Sequence, residues 1–302
     1  MSLPPDDVWL PVLGRRTRTT PAVTGREPLT GGYSSPGVER VDLDDGRSVV
    51  LKSGRPEEIA AMRAIAVVTG VDRPRLVASG RDWLVLDHHP GPPADPAAPV
   101  PDEVWTTLAR VHAHWRRNRP RGVPVVDPAW WGRLCETVLV ALRGGAERSG
   151  DAAYSDAAAA VRAWAADPRI AAALNVLPRT LCHGDAHRGN VVCDPSGAVL
   201  IDWGNARVAP AGLDVAVLTA PGPSEPADRT PDPVPAAYTD TLAEALGRPD
   251  PPQMRAVERE WALVQAYVQY LGFAADHQGP DRVRAMTGVA TAALDRLGPG
   301  RS

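Results

Sequence analysis

The sequence predicts a two-lobed α+β fold, with a small antiparallel-sheet lobe over residues 1–90 and a larger, mainly helical lobe over residues 91–302. Three observations lead to this expectation. Strand-like runs separated by turn signals fill the first part of the chain, and helical periodicity of apolar residues dominates the second. Between them lies Asp87-His88-His89-Pro90-Gly91, followed by Pro- and Ala-rich sequence to Pro101, the composition of a connection.

Taken in order, a turn at Thr30-Gly31-Gly32 precedes the run Val38-Glu39-Arg40-Val41, and Asp44-Asp45-Gly46 separates that run from Ser48-Val49-Val50-Leu51-Lys52. Asp-Gly between two such runs is a hairpin signal, because the glycine accepts the positive φ of a tight turn. Lys52 is thereby placed at the end of a strand. Pro56 suits the first turn of a helix, Glu57 and Glu58 favour its positive end, and Ile59, Met62, Ile65 and Ala66 recur at helical spacing until Gly70. This is the one helix expected in the first lobe. A further strand runs from Trp83 to Leu86. Beyond the connection, Val104, Trp105, Leu108, Val111 and Trp115 share one helical face, and similar periodicity marks 257–270 and 283–297. The stretch from Leu181 to Asp202 breaks this pattern with short apolar runs around polar residues, and the Pro-rich segment from Pro221 to Pro235 reads as an exposed loop and a candidate substrate lid.

Composition narrows the classes. With 302 residues, 44% hydrophobic and 23% charged, the chain suits a globular enzyme and lacks the signature of disorder. A net charge of −3 argues against a nucleic-acid partner, and the lack of a long apolar run argues against a membrane partner. The N-terminal segment has acidic residues where a signal peptide has basic ones, so a cytoplasmic protein is expected. Cys135, Cys182 and Cys193 are widely spaced and read as free thiols. Of 33 basic residues only Lys52 is lysine. Arginine does most of what lysine does at a surface but cannot replace a compact ammonium in a tight site, so Lys52 is a functional suspect.

The chemistry concentrates in Leu181-Cys182-His183-Gly184-Asp185-Ala186-His187-Arg188-Gly189-Asn190, followed after a turn by Val199-Leu200-Ile201-Asp202-Trp203-Gly204. It offers one carboxylate, a carboxamide five residues later, and a second carboxylate ending the next strand of a hairpin. Phosphoryl transfer needs such groups: one acid to orient the attacking hydroxyl and accept its proton, and oxygen ligands for the magnesium that bridges the phosphates.

Here the sequence resembles the aminoglycoside phosphotransferase family, whose fold is similar to that of protein kinases. His183-Gly184-Asp185 with Asn190 matches the family's catalytic loop, HGDxxxxN, and Ile201-Asp202-Trp203-Gly204 matches its metal-binding segment. The resemblance implies that Asp185 is the catalytic base, that Asn190 and Asp202 bind Mg2+, that Lys52 holds the α- and β-phosphates of ATP or GTP, and that Glu58 pairs with Lys52. It also implies a phosphate-covering loop at Gly31-Gly32-Tyr33-Ser34-Ser35-Pro36-Gly37, with Ser34 and Ser35 as the expected contacts, although a plain hairpin turn would look the same. Asp87–Gly91 resembles the family's hinge. Because Pro90 has no N–H, His89 is the expected backbone donor to the nucleobase and Asp87 the backbone acceptor, with Leu86 packed beside the base. Asp214 matches a family aspartate that braces the catalytic loop. His187 is placed either at the γ-phosphate or as a loop-orienting residue, and Arg188, where the family commonly has proline, faces phosphate or solvent.

The acceptor is expected to be a small molecule bearing a hydroxyl. Trp130, Trp131, Trp164 and Trp261 offer flat apolar surface, and Asp232, Asp240, Glu244, Glu258 and Glu260 could attract a cation; core tryptophans and solvated acids are the competing reading. An antibiotic phosphotransferase in a broad sense comes first (aminoglycoside, nucleoside, peptide or macrolide acceptor), although the modest excess of acids and the lack of an acidic tail weigh against an aminoglycoside. A metabolic kinase for choline, sugar or amino-acid-like substrates comes second. A noncatalytic nucleotide-binding protein is the reading from another class. A protein kinase is disfavoured by HGD in place of HRD and by the short stretch between Asp202-Trp203-Gly204 and Asp214.

Overall fold

The computed structural model describes residues 3–17, 19–29, 37–95, 98–194, 197–221 and 225–298. In the first lobe, α1 (Asp6–Thr17), β1 (Val23–Pro28), β2 (Val38–Leu43), β3 (Ser48–Ser53), α2 (Pro56–Ala66), β4 (Leu76–Ser79) and β5 (Trp83–Asp87) follow one another, and the strands form an antiparallel sheet in the order β1-β2-β3-β5-β4. The second lobe begins with α3 (Asp102–Trp115), α4 (Pro128–Ser149), α5 (Ala152–Ala165) and α6 (Pro168–Val176). Next come β6 (Arg179–Cys182), β7 (Val191–Asp194), β8 (Gly197–Leu200) and β9 (Arg207–Pro210), paired β6 with β9 and β7 with β8. The chain closes with α7 (Gly212–Thr219), α8 (Ala236–Leu246), α9 (Pro252–His277) and α10 (Pro280–Arg296). The α+β class and the two kinds of lobe are as the sequence predicts. Among the described residues no helix is long and apolar enough to cross a membrane.

The alternation of side chains along β5 explains how the sheet meets its neighbours. Trp83 and Val85 join Val41, Leu43, Val49 and Leu51 on one face, where α1 covers them with Trp9 and Leu13. Leu84 and Leu86 point the other way, into a core shared with Ile59, Met62 and Ile65 of α2 and with Val191, Leu200 and Trp203 of the second lobe. Lys52 stands opposite Leu84 in the β3–β5 register and so lies on the side facing the second lobe. A further core, built from α4, α5, α9 and α10, buries Trp131, Trp164 and Trp261.

Among the described residues, two helices rather than one occupy the first lobe. The sequence signal of α1 is masked by Pro11 inside it, yet Trp9 and Leu13, four residues apart on one face, are 0% and 1% exposed. Over its described residues the Pro221–Pro235 segment is the partly exposed loop that the sequence predicts, yet it is tied down. Its described part is pinned to the helical lobe: Ala227 is buried and its carbonyl accepts from the Tyr267 hydroxyl at 2.9 Å, Arg282 donates to the Glu225 carbonyl, and Asp232 N donates to the Thr219 carbonyl at 3.1 Å.

The connection after β5 is stitched to β7, with Cys193 N donating to the Pro92 carbonyl at 3.0 Å and Ala94 N to the Val191 carbonyl at 2.8 Å. At Gly91 the backbones approach so closely that a Cβ would lie 1.9 Å from the Cys193 carbonyl oxygen. Gly91→Ala is therefore expected to destabilise the fold by about 1–3 kcal/mol, as overpacking does. A urea midpoint unchanged from the parent would show that the connection yields instead.

Candidate active site

Strand β6 delivers the loop that starts at His183. The Asp214 carboxylate, on the first turn of α7 and fully buried, accepts from the backbone N–H groups of His183 (2.7 Å) and Gly184 (2.8 Å). Its Oδ2 also meets His112 Nε2 at 3.1 Å, and His112 Nδ1 meets the Tyr238 hydroxyl at 2.9 Å. Burial works against a charge on Asp214, but the hydrogen bonds from His112 and the loop outweigh it and hold the carboxyl below its ordinary range. Asp214 thus braces the loop, as expected. His112, Cys182 and Asp214 lie close enough to suggest a metal cluster, yet both imidazole nitrogens have protein partners and the Cys182 thiol, pushed up by burial, faces the Ala209 and Pro210 carbonyls at 3.5 Å. This is a satisfied structural knot.

His183 is itself buried, with Nε2 2.8 Å from the Ile201 carbonyl and Nδ1 accepting from Asp185 N at 3.3 Å. A donor at Nε2 and an acceptor at Nδ1 define a neutral imidazole, consistent with burial holding its pKa below the ordinary value. Gly184 has φ +80°, and a Cβ there would lie 2.2 Å from the Asn205 carbonyl oxygen, so only glycine fits this turn. Asp185 follows with its side chain 21% exposed. Its Oδ1 accepts from the Tyr270 hydroxyl and its Oδ2 from Asn205 Nδ2 at 3.0 Å.

Asn190 Nδ2 donates to the Asp185 backbone carbonyl at 2.9 Å, which turns the amide oxygen the other way. Ile201 N donates to the Asn190 carbonyl at 2.8 Å, so the β7–β8 hairpin brings Asn190 beside the residue that precedes Asp202. Asp202 has φ +60°, a left-handed conformation uncommon for a side chain other than glycine's. Its half-exposed carboxylate accepts from Lys52 Nζ at 3.0 Å, and Lys52 Nζ also pairs with Glu58 Oε1 at 2.7 Å. Burial opposes charge on Lys52, but the Asp202 and Glu58 carboxylates outweigh it and raise its pKa. Asp202 is lowered in return because Lys52 outweighs its burial, whereas burial keeps the deeper Glu58 above the ordinary range. Arg55, just before α2, donates to the Gly204 carbonyl at 2.7 Å and adds a second tie between the lobes.

The structure thus gathers Lys52, Glu58 and Asp202 into one ion-pair cluster, and Asp185 and Asn190 into one loop. Leu86, Asp87 and His89 lie along the end of β5 and just past it. Asp87 N donates to the Arg75 carbonyl at 3.1 Å, the Asp87 carboxylate binds Arg75, and the His89 ring sits 3.4 Å from Asp194 Oδ2. Ser34 and Ser35, with the turn at Thr30-Gly31-Gly32, lie outside the described residues. Arg188 takes neither predicted place, donating instead to the Ala98 carbonyl (3.1 Å) and to Asp232 (2.7 Å). His187 is half-exposed, 3.9 Å from Asp185 Oδ1. Trp131, Trp164 and Trp261 are core residues, and of the four only Trp130 is partly exposed, its ring stacked on the Arg207 guanidinium at 4.9 Å. Three of the five proposed acids are engaged by protein partners: Asp232 pairs with Arg188 and Arg229, Glu260 is buried against Arg259 and Arg296, and Glu258 accepts from Gly212 N.

Four residues of the site escaped the sequence reading: Asn205, Arg207, Gln269 and Tyr270. Arg207, 7% exposed, donates to the carbonyls of Asn205 (2.9 Å) and Gly184 (3.1 Å) and to Gln269 Oε1 (3.2 Å), while Gln269 Nε2 donates to the Gly184 carbonyl at 2.8 Å. Asn205 could have been found by its place three residues past Asp202; the other three carry no local signal.

A sheet lobe bearing a lysine–glutamate pair, set against a helical lobe bearing Asp185, Asn190 and Asp202, defines a phosphotransferase that acts as a small-molecule kinase. The family model described as the phosphotransferase enzyme family, APH, matches residues 25–257, and the chain belongs to this family. Comparison with curated proteins gives no match. Among solved structures the fold is shared with the choline kinase of Cryptosporidium parvum Iowa II (TM-score 0.59, 9% identity, covering 91% of this chain and 88% of that one). It is also similar to choline kinase LicA from Streptococcus pneumoniae (0.57, 14%, 95% and 98%) and to an ethanolamine kinase of Plasmodium vivax (0.54, 10%, 85% and 78%).

Proposed function

We propose that this chain transfers the γ-phosphoryl group of ATP or GTP to a hydroxyl of a small molecule. The observation that supports this most is the convergence of Lys52, Glu58 and Asp202 within ion-pair distance, from positions up to 150 residues apart, beside the loop that holds Asp185. In this reading the acceptor hydroxyl donates to the Asp185 carboxylate, its oxygen forms the new bond to the γ-phosphorus, the bridging P–O bond to the β-phosphate breaks, and the proton passes to Asp185 late in the transfer. Lys52, fixed by Glu58, holds the α- and β-phosphates, and the segment from Leu86 to His89 receives the base. Asn190 and Asp202 fit a hard divalent cation, since an amide oxygen and a carboxylate are the ligands it prefers. When bound, magnesium supplies positive charge to the phosphate oxygens.

Lys52→Met removes the ammonium and leaves Glu58 buried without its partner. We expect turnover to fall by about 10²–10³, the scale for losing one electrostatic clamp on the transition state, and Lys52→Arg to restore only part of it because the planar fork does not fit a point-charge site. Normal kinetics in Lys52→Met would remove the phosphate role from this residue.

For the acceptor, an antibiotic of aminoglycoside, nucleoside, peptide or macrolide type is the first candidate class, with a resistance role following from it. Choline, ethanolamine and other metabolic hydroxyl compounds are the second, motivated by the substrates named for the structural neighbours. The engagement of Asp232 by Arg188 and Arg229 and of Glu260 by Arg259 and Arg296 favours acceptors other than polycations. A coupled nucleotide-consumption screen of both classes, run with ATP and with GTP, tests the reading. One acceptor should stimulate consumption, whereas nucleotide binding with neither acceptor-stimulated nor basal turnover would favour a noncatalytic protein.

A further inference from the structure

We infer that Tyr270 is a positioning residue for the Asp185 carboxylate, donating its phenolic hydrogen bond to Oδ1 so that the base is held in one orientation toward the acceptor; this rests on the reading of Asp185 as the base. Asp185 is fixed at both oxygens, by Tyr270 at Oδ1 and by Asn205 Nδ2 at Oδ2, so rotation of the carboxylate would break two hydrogen bonds at once. The backbone beneath it is tied as well, with Asp214 holding the N–H groups of His183 and Gly184 while Gln269 and Arg207 hold the Gly184 carbonyl.

Tyr270 and Gln269 are consecutive on α9, and both reach the same loop. The helix is a rigid base for them: Trp261, Val264, Val268 and Leu271 are buried in the main core of the helical lobe. A partly buried phenol needs a hydrogen-bond partner, and any backbone carbonyl would serve. Here it is spent on a carboxylate assigned to take a proton. Burial first, and then the Asp185 charge, hold the phenol well above its ordinary pKa, so it remains a donor at neutral pH. A carboxylate oxygen accepts more than one hydrogen bond, so Oδ1 can keep the phenol while the acceptor hydroxyl approaches from the exposed side.

The test compares the parent, Tyr270→Phe, Asp185→Asn and the double variant, with ATP and magnesium chloride, measuring transfer both to water and to the best acceptor of the screen. Tyr270→Phe removes one hydroxyl and is expected to lower kcat by roughly 10–10²-fold, the scale of a small misplacement of a reacting group. KM for ATP should stay within about twofold, because nothing that holds the nucleotide is touched. In the Asp185→Asn background the same change should alter kcat by less than about twofold, since the group it positions no longer acts as a base; a merely structural role would lower both backgrounds alike. A kcat for Tyr270→Phe within about twofold of the parent, or equal losses in the two backgrounds, would overturn the inference. If Asp185→Asn alone turned over like the parent, the reading of the base would fail, and that result is read on its own variant.

Discussion

Asp185→Asn is expected to lower phosphoryl transfer by roughly 10²–10⁴-fold, the usual contribution of a positioned base, while nucleotide affinity stays within a few-fold of the parent. The local structure favours so clean a separation. An asparagine offers one acceptor and one donor where the aspartate offered two acceptors, but both neighbours can adapt: the Tyr270 hydroxyl can turn to accept, and the Asn205 amide can present its oxygen. The loop backbone is held by Asp214, Gln269 and Arg207 independently of the Asp185 side chain, so the fold of the loop is not at stake. The nucleotide's proposed contacts at Lys52 and along Leu86–His89 lie elsewhere. Affinity by titration and turnover must be measured on the same purified variant. Turnover within a few-fold of the parent would mean that another group takes the proton.

The parts of this site legible in the sequence are those encoded locally. The Asp-Gly turn sets the β2–β3 hairpin and so the strand that ends near Lys52, and the Pro-Glu-Glu start of α2 puts Glu58 in the first turn of a helix, where it meets Lys52 at 2.7 Å. The β7–β8 hairpin joins Asn190 to Ile201 in the same way. Elements without local signals were missed. β1 is mostly exposed and reads Val-Thr-Gly-Arg-Glu-Pro, in which glycine, proline and two charges obscure the strand signal, and β4 is only four residues long. α1 contains a proline, and its helical character comes from the burial of Trp9 and Leu13 against the sheet.

Tertiary contacts between distant residues were illegible for a different reason. Gln269 and Tyr270 sit in a long periodic helix, where the pattern announces only a buried face, and nothing within α9 announces a loop 85 residues upstream. Arg207 looks like one arginine among many until its burial is known. Tryptophan is ambiguous in the opposite sense, since its large apolar body suits a core as well as a ligand surface. In this chain three of the four candidates went to the core, and the fourth stacks on Arg207. The place of Arg188, open in the sequence between phosphate and solvent, is set by Asp232, which lies in the Pro-rich segment read as an exposed loop and candidate lid.

Asp202→Gly is expected to abolish metal-dependent transfer while leaving stability within about 1 kcal/mol of the parent, a combination that distinguishes a functional residue from a structural one. Three stability effects oppose one another. Losing the Lys52–Asp202 ion pair, whose carboxylate is 52% exposed, costs no more than about 1 kcal/mol. Replacing a side chain held at φ +60° by glycine relieves about 1–2 kcal/mol of left-handed strain. The greater freedom of glycine in the unfolded chain returns about 0.4–1 kcal/mol of that gain. Activity has no such compensation, because glycine offers no side-chain oxygen in place of the Asp202 carboxylate. Asp202→Ala makes a useful contrast: it removes the same carboxylate but keeps the left-handed strain, so it should be as inactive and measurably less stable than the glycine variant. The measurements are thermal unfolding of the three proteins and transfer assays with and without a chelator of divalent ions. Chelation should lower the parent toward the level of Asp202→Gly. A parent indifferent to chelation, or a glycine variant that transfers normally, would remove Asp202 from the proposed metal site.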